Sequence, residues 1–161
     1  IRQHCCRFED SAFVAGLLHD IGKVVLDEYF SVEWRQVLAE AERREMPLVE
    51  LEQALLGVTH AEVGYWLSER WNLPPPIGQA ILHHHEEPKL GASSALEGLT
   101  YLSNALVKER GIGFSGDGFV WPVGDEAREV VGLEECHLAK ISTLLMKRMS
   151  SIGAMLGYFG A

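Results

Sequence analysis

The stretch Gly16-Leu-Leu-His-Asp-Ile-Gly-Lys23 decides how this chain is interpreted, because it sets an imidazole beside a carboxylate in an apolar context. A carboxylate taken out of water is costly unless a cation, a metal ion or several hydrogen-bond donors accompany it. His19 and Asp20 are therefore not typical core residues. The pair indicates either a site that holds a cation or a hydrogen-bonded contact that fixes the end of a helix.

Further histidines lie downstream. His60 stands alone, and the run His83-His84-His85 is followed by two glutamates. Each position falls near the end of a predicted helix, and metal sites in helical bundles are assembled from facing helices in this way. Imidazoles and carboxylates suit Fe, Mn, Ni, Co or Zn. We therefore predict one metal site with these candidate ligands: His19, Asp20, His60, His84 and His85. His83 is expected to face solvent.

Composition narrows the class of protein. The 161 residues suffice for one domain whose hydrophobic core is large enough to be stable without disulfides or a structural metal. A net charge of −9 argues against nucleic acid as a partner, because binding to phosphates needs a basic face. Three cysteines, two of them adjacent, form no disulfide framework and favour a reducing compartment. No run approaches the roughly 18 apolar residues of a membrane span. We expect a cytoplasmic protein that binds neither nucleic acid nor membrane.

Apolar residues follow helical spacing nearly throughout the chain. Ser11 is expected to cap the first helix, and Val24-Val25-Leu26 to continue it as a buried segment. Its predicted inward stripe is Phe13, Val14, Leu17, Leu18 and Ile21. The other predicted helices cover 31–44, 47–57, 59–71, 76–86, 93–110, 125–131 and 134–158. The predicted fold class is all-α, a single helical bundle.

Residues 111–124 are too rich in glycine for regular structure and are predicted to form a loop. Three aromatic residues lie in this segment: Phe114, Phe119 and Trp121. Aromatic side chains dominate the energetics of protein interfaces, so an exposed set would suit a docking surface for a protein partner. The alternative is that the three rings fold back onto the core.

Leu17-Leu-His-Asp-Ile-Gly-Lys23 resembles the HD motif of the HD-domain metal-dependent phosphohydrolase superfamily. The segment 60–74, continued by Ile81-Leu-His-His-His85, narrows the resemblance to the HDOD domain, the HD-related output domain of bacterial signalling proteins. Other segments that resemble it are 12–19, Glu52, 102–106 and 111–113. The resemblance covers about residues 8–118 and implies one HD-like domain over 1–161 with a shared metal pocket.

The resemblance also implies a first metal-binding histidine on a preceding helix, and His4 is the candidate. Only 14 residues separate it from His19, which leaves little room for the remainder of one helix, a turn and the start of another. We therefore expect the domain to be incomplete at its N-terminal end or to lack a segment near residues 7–8.

Two departures from the superfamily bear on activity. The superfamily closes its metal site with an aspartate on a later helix, and the matching position here is Asn104. An amide oxygen carries no charge and binds a cation more weakly than a carboxylate. The related HD-GYP phosphodiesterases follow His-His-Glu with Asp-Gly-x-Gly-Tyr-Pro, where this chain has Glu86-Glu-Pro-Lys-Leu-Gly91. Hydrolysis of cyclic-di-GMP is therefore not expected.

Two functions follow from the residues and the resemblance. The favoured one is a bacterial signal-transduction output module with a degenerate metal site, acting through a protein partner and not as an enzyme. A divalent transition metal would then be bound partially or not at all, and Lys23 would pair with Asp20. The alternative is a metal-dependent phosphohydrolase for a nucleotide or another phosphoester, with Lys23 in contact with the phosphate. Asn104 is the residue that discriminates between them.

Overall fold

A computed structural model describes the backbone of residues 2–156 and the side chains of 10–134 and 136–151. Within that backbone the chain forms nine helices and no strand. In chain order they are α1 Arg2–Leu18, α2 Ile21–Tyr29, α3 Ser31–Arg44, α4 Leu48–Leu56, α5 His60–Arg70, α6 Pro75–Leu82, α7 Ala95–Glu109, α8 Asp125–Val131 and α9 Glu135–Leu156. The predicted all-α bundle is confirmed. No helix of this described part is both long and apolar enough to cross a bilayer.

Two helices that carry site residues begin at capping boxes. The Thr59 hydroxyl accepts a hydrogen bond from the Glu62 N–H at 3.2 Å, and the Glu62 carboxylate accepts one from the Thr59 N–H at 2.8 Å. Ser94 and Glu97 make the same reciprocal pair at the start of α7. Because each box satisfies N–H groups that have no partner inside the helix, it fixes the residue at which the helix starts. His60 is consequently the first residue of α5.

The first predicted helix is in fact two helices. α1 ends at Leu18 and α2 begins at Ile21, so His19 and Asp20 form the turn between them. Ser11 lies inside α1 and does not begin it. The apolar spacing continues across the break, which is why periodicity alone predicted one helix. The break matters for the site, since it presents both polar side chains at the junction of two helices.

The inward stripe predicted for the first helix is partly wrong. Ala15 is fully buried, whereas Phe13 and Leu17 are 72% and 67% exposed. In α2, Val24 is 63% exposed, although the segment was predicted to be buried. α1 packs on α6 and α7 through Ala15, with Val14 and Leu18 partly buried beside it, and this orientation leaves Phe13 and Leu17 outside.

The core of the bundle has two main apolar clusters. Helices α2 to α5 enclose the first, which contains Leu26, Trp34, Val37, Ala41, Leu48, Leu51 and Val63. Helices α1, α6 and α7 enclose the second, which contains Ala15, Ile77, Ala80, Ile81 and Leu96. The turn at 19–20 joins a helix of one cluster to a helix of the other. The site therefore lies where the two clusters meet.

The glycine-rich segment 111–124 is irregular, as predicted, but it is anchored to the bundle. Asp117 is only 8% exposed, and its carboxylate pairs with Lys108 of α7 at 2.5 Å. The same carboxylate accepts a hydrogen bond from the Leu48 N–H of α4 at 2.8 Å. One buried aspartate thus ties the middle of the loop to two helices.

Of the three aromatic rings in the glycine-rich loop, two follow the alternative given for them and fold back onto the core. Phe119 and Trp121 are half-buried, with their ring centroids 5.0 Å apart. Trp121 packs against a third apolar cluster that includes Tyr101 and Leu102 of α7. Phe114, in contrast, is 85% exposed. The loop folds back onto the core and leaves one aromatic side chain in solvent.

Candidate metal centre

Four potential ligands converge from three places in the chain. Asp20 comes from the turn between α1 and α2, His60 from the first turn of α5, and His84 and His85 from the segment after α6. One ligand atom of each lies within 4.8 Å of the others. His60 and His84 are fully buried, while Asp20 and His85 are partly buried. The fold thus brings together four of the side chains that the sequence indicated as metal ligands.

The histidine run lies in a turn and not in a helix, which corrects the prediction. α6 ends at Leu82, and the turn that follows directs His84 and His85 toward the centre. Consecutive residues of a helix are about 100° apart around its axis, which would make this arrangement difficult. His83 points elsewhere, and its Nδ1 donates to the Glu97 carboxylate at 3.0 Å. It is held at the surface by this pair.

Three imidazoles are oriented by hydrogen bonds from Nδ1. In His19 and His84, Nδ1 donates to the backbone carbonyl three residues earlier, at 2.8 and 2.6 Å. In His60, Nδ1 donates to the Glu52 carboxylate at 2.6 Å. Carbonyl and carboxylate oxygens only accept, so each neutral ring carries its lone pair on Nε2. This is how metal-binding histidines are usually held in proteins.

The Nε2 atoms surround the Asp20 carboxylate. Those of His60 and His84 lie 3.3 and 3.5 Å from Oδ1, and that of His19 lies 3.5 Å from Oδ2. His85 Nε2 lies 2.9 Å from His60 Nε2. Oδ1 of Asp20 is buried and has no hydrogen-bond partner among the described residues. Because facing lone pairs and a carboxylate oxygen repel without a cation between them, this donor set fits a divalent metal ion.

Burial and mutual contacts set the charges in the centre. Burial lowers the pKa of His84 to about 4, so its imidazole is neutral near pH 7. Burial also lowers the pKa of His85. For Asp20, burial raises the pKa, but its contacts with His60 and His84 outweigh burial and hold that pKa far below its usual range. Burial lowers the pKa of His60, but its close contact with the Asp20 carboxylate and its hydrogen bond to Glu52 outweigh burial and raise that pKa. The two carboxylates therefore favour a cation at His60 Nε2, whether a proton or a metal ion.

Close packing of α2 on α5 sets the approach of Asp20 to His60. Gly22 lies against the backbone of His60, and a Cβ at Gly22 would overlap the His60 carbonyl oxygen. The same Cβ would lie 2.8 Å from the carbonyl carbon and 3.0 Å from the Gly64 nitrogen. Because backbone atoms cannot give way as a flexible side chain can, this contact requires glycine.

A cavity of about 460 Å³ adjoins the centre. His19 and Asp20 line it together with Asn104 of α7 and several residues of the glycine-rich loop, including Phe114. Asn104, which the resemblance set at the closing position of the metal site, thus faces the same cavity as Asp20. The side chain of His4 lies outside the described residues, so the proposed first histidine stays a prediction.

Both lysines beside this cavity are paired. Lys23 Nζ donates to Asp20 Oδ2 at 2.8 Å and to the Ser115 carbonyl at 2.9 Å. Lys108 lines the cavity and pairs with Asp117, with side chains only 8% and 4% exposed. Lys23 therefore links a candidate metal ligand directly to the glycine-rich loop.

Glu52 was named above as part of the family resemblance but not as a site residue. It lies on α4, is fully buried, and accepts hydrogen bonds from both the N–H and Nδ1 of His60. A signal was available, since a glutamate in the apolar segment Leu48–Leu56 needs a buried partner. Asp117 was also missed, because a single aspartate among glycines looks like an ordinary turn residue.

Comparison with known structures agrees with the fold and the motifs. A protein from Marinobacter aquaeolei VT8, a candidate signal transduction protein, is 27% identical with a TM-score of 0.78, over 91% of this chain and 32% of that chain. An HDOD domain protein with unknown function from Geobacter sulfurreducens is 25% identical with a TM-score of 0.74, over 88% of this chain and 52% of that chain. A candidate phosphohydrolase from Shewanella amazonensis SB2B shares the fold at 19% identity and a TM-score of 0.64, over 84% of this chain and 50% of that chain.

Sequence comparison points the same way. An uncharacterized protein of Treponema pallidum (strain Nichols) is 35% identical over 80 residues, which make up 48% of this chain and 15% of that protein. The chain therefore spans only part of each of these longer proteins, between 15% and 52% of their lengths. The family model of the HDOD domain matches residues 2–87, more than half of the chain. The resemblance found in the motifs is confirmed, and the chain belongs to the HDOD domain family.

Proposed function

We propose that this chain is a bacterial signalling output domain that acts by binding a protein partner and holds a divalent transition metal only weakly. Membership of the HDOD family supports a signalling role, as does the likeness to the Marinobacter protein at 27% identity. The convergence of Asp20 with three histidines supports metal binding. What argues for binding over turnover is the chemistry around the cavity.

The metal would be held by these residues: Asp20, His60, His84 and His85. Nitrogen and oxygen donors of this kind suit Fe, Mn, Ni, Co or Zn. When bound, such an ion polarises oxygen atoms of a ligand and lowers the pKa of bound water. Asn104 contributes no charge at the closing position, so Asp20 is the one carboxylate among the described residues that faces the ion. Weak binding is the expected consequence.

The single observation that carries the proposal is that Lys23 and Lys108 are both committed to carboxylates. Enzymes that act on phosphoesters stabilise the charge on the phosphoryl oxygens with available cations such as Lys and Arg. Removing Lys108 from Asp117 would leave a buried carboxylate without a counter-ion, which is strongly unfavourable. A phosphoester in the cavity would therefore meet no unpaired lysine among the described residues that line it.

A metal-dependent phosphohydrolase is the second candidate. The observation in its favour is the cavity of about 460 Å³ beside Asp20 and His19, which lies within the usual size range of small-molecule sites. For this activity Lys23, which is partly exposed, would have to exchange the Asp20 carboxylate for a phosphate oxygen. The phosphohydrolase hypothesis therefore predicts that Lys23 is essential for turnover.

The two candidates are separated by metal analysis and a hydrolysis assay on the purified domain. The substrates are p-nitrophenyl phosphate and bis(p-nitrophenyl) phosphate, with Fe²⁺, Mn²⁺, Ni²⁺, Co²⁺ or Zn²⁺ added in turn. We expect less than one metal ion per chain and no hydrolysis above that of a double variant, Asp20→Ala with His60→Ala. Metal-dependent hydrolysis that disappears in the double variant and in Lys23→Met would establish the enzyme instead.

A further inference from the structure

The hydrogen-bond partner of His60 differs in charge from those of the other candidate ligands. Nδ1 of His19 and Nδ1 of His84 each donate a hydrogen bond to a neutral backbone carbonyl. Nδ1 of His85 has no hydrogen-bond partner among the described residues. His60 instead donates to the carboxylate of Glu52, whose side chain is 0% exposed.

Glu52 holds both the backbone and the ring of His60. Its Oε2 accepts from the His60 N–H at 2.9 Å and lies 2.6 Å from Nδ1, while Oε1 lies 2.7 Å from Nδ1. The ring cannot rotate without breaking its bond to this carboxylate. Since His60 is the first residue of α5, the N-terminal end of that helix also stabilises the negative charge. α4 therefore fixes the position from which α5 presents Nε2 to the centre.

The charge of Glu52 reaches the centre through the imidazole. A fully buried carboxylate is costly unless its charge is balanced nearby, and the residue in contact with it is His60. A carboxylate on the far nitrogen of a histidine fixes its tautomer and makes the near nitrogen a more basic ligand. The negative charge of Glu52 is balanced when a cation is bound at His60 Nε2, on the side of the ring that faces Asp20.

We infer that Glu52 is a positioning residue of the metal centre: without touching the ion, it fixes the His60 ring and strengthens its Nε2 as a ligand. This inference rests on the metal binding proposed above. It adds a second negative charge to a centre in which Asp20 is the one carboxylate, among the described residues, that faces the ion. Metal affinity then depends on the packing of α4 against α5 as well as on the ligands themselves.

Glu52→Gln is the test, because glutamine keeps the length of the side chain but carries no charge and has one accepting oxygen. Glu62→Gln is the matched control. Glu62 is a carboxylate at the same end of α5, where it accepts hydrogen bonds from the Thr59 N–H and hydroxyl at 2.8 and 3.0 Å. Loss of its charge weakens the helix cap and leaves the bond between Glu52 and His60 in place.

Co²⁺ is titrated into the metal-free domain and its variants, and the visible absorption spectrum reports affinity and ligand field together. We expect Glu52→Gln to weaken Co²⁺ binding by about 10- to 100-fold and to change the spectrum, as loss of such an outer partner usually does. Glu62→Gln is expected to leave both unchanged. Glu52→Asp keeps the charge with a shorter reach and serves if the glutamine variant fails to fold. Its affinity should fall between those of Glu52→Gln and the unaltered domain.

Each outcome decides the matter. Unchanged binding and spectrum in Glu52→Gln, or in Glu52→Asp if only that variant folds, would overturn the positioning role and leave the proposed metal binding intact. Equal losses in Glu52→Gln and Glu62→Gln would also overturn it, since they would reflect a general weakening of α5. Failure of the unaltered domain to bind Co²⁺ would overturn both this inference and the proposed metal binding.

Discussion

Gly22 packs against the main chain of His60, and this contact joins α2 to α5 beside the turn that carries Asp20 and the first turn of α5 that carries His60. Asp20 precedes Gly22 by two residues, so the turn that carries its carboxylate is pressed onto the start of α5. The absence of a side chain at Gly22 is thus a requirement of the site geometry as well as of the core. Any larger residue must push the helices apart.

Gly22→Ala is therefore expected to lower the free energy of unfolding by about 1–3 kcal/mol, the usual effect of forcing an extra methyl group into a packed interior. Urea denaturation followed by circular dichroism measures it. The control is Gly16→Ala in α1, where an added Cβ meets nothing within 4 Å. That change should stabilise the domain by up to about 1 kcal/mol, because alanine favours helix over glycine. Similar effects of the two substitutions would contradict the packing argument.

Helix positions could be predicted where local signals agree with packing. The predicted helix at 31–44 coincides with α3. Of its expected inward residues, Trp34, Val37 and Ala41 are buried and Leu38 is partly buried. The turn at His19 and Asp20 could not be predicted in this way, because apolar spacing continues through it. α1 packs on α6 and α7, whereas α2 packs on α3 and α5, and apolar spacing does not show where one set of neighbours gives way to the other.

The residues of the candidate site also divide into those that could be predicted from the sequence and those that could not. His60 and Asp20 were apparent from the sequence, because such side chains are unusual in apolar segments. Their orientation was not, since each ring nitrogen is assigned by contacts between residues that only the fold brings together. Glu52 and Asp117 belong to this second group, as each acts through a partner on another helix. Sequence patterns thus identified the candidate metal ligands that the fold brings together, but not the residues that orient them.

The buried pair of Lys108 and Asp117 is expected to stabilise the glycine-rich loop. Asp117→Asn would leave the Lys108 ammonium without a counter-ion at a position where its side chain is only 8% exposed. Breaking one partner of such a pair costs about 3–5 kcal/mol, which chemical denaturation can measure. Hydrogen exchange should also rise at the Leu48 and Phe119 amides, which donate to this carboxylate at 2.8 and 3.0 Å.

A double variant provides the control for that pair. Lys108→Met combined with Asp117→Asn removes the uncompensated charge, so the domain should regain part of the stability that the single Asp117→Asn variant loses. If the two substitutions prove simply additive, the pair is not coupled and the loop is held by other contacts.

Phe114 is the aromatic residue of the glycine-rich loop that we expect to contact a protein partner. It is 85% exposed, whereas Phe119 and Trp121 are half-buried and in contact with each other. Phe114→Ser should therefore abolish signalling output in cells that carry the full-length protein and leave the unfolding midpoint of the domain unchanged. The control is Phe13→Ser, which removes a comparably exposed ring, 72% exposed, from α1. Normal output from Phe114→Ser would rule out this contact.

Asn104→Asp tests whether residue 104, which the resemblance sets at the closing position, limits the proposed metal binding. Asn104 lines the same cavity as Asp20 and His19, so a carboxylate there would add negative charge beside the centre. We expect the metal content per purified chain to rise toward one, measured by elemental analysis, because a carboxylate binds a divalent cation more strongly than an amide does. Ser103→Asp adds the same charge at the neighbouring residue, which also lines the cavity, and should raise the metal content less. An equal rise in both variants would indicate a general effect of charge, and no rise in Asn104→Asp would show that this position does not limit binding.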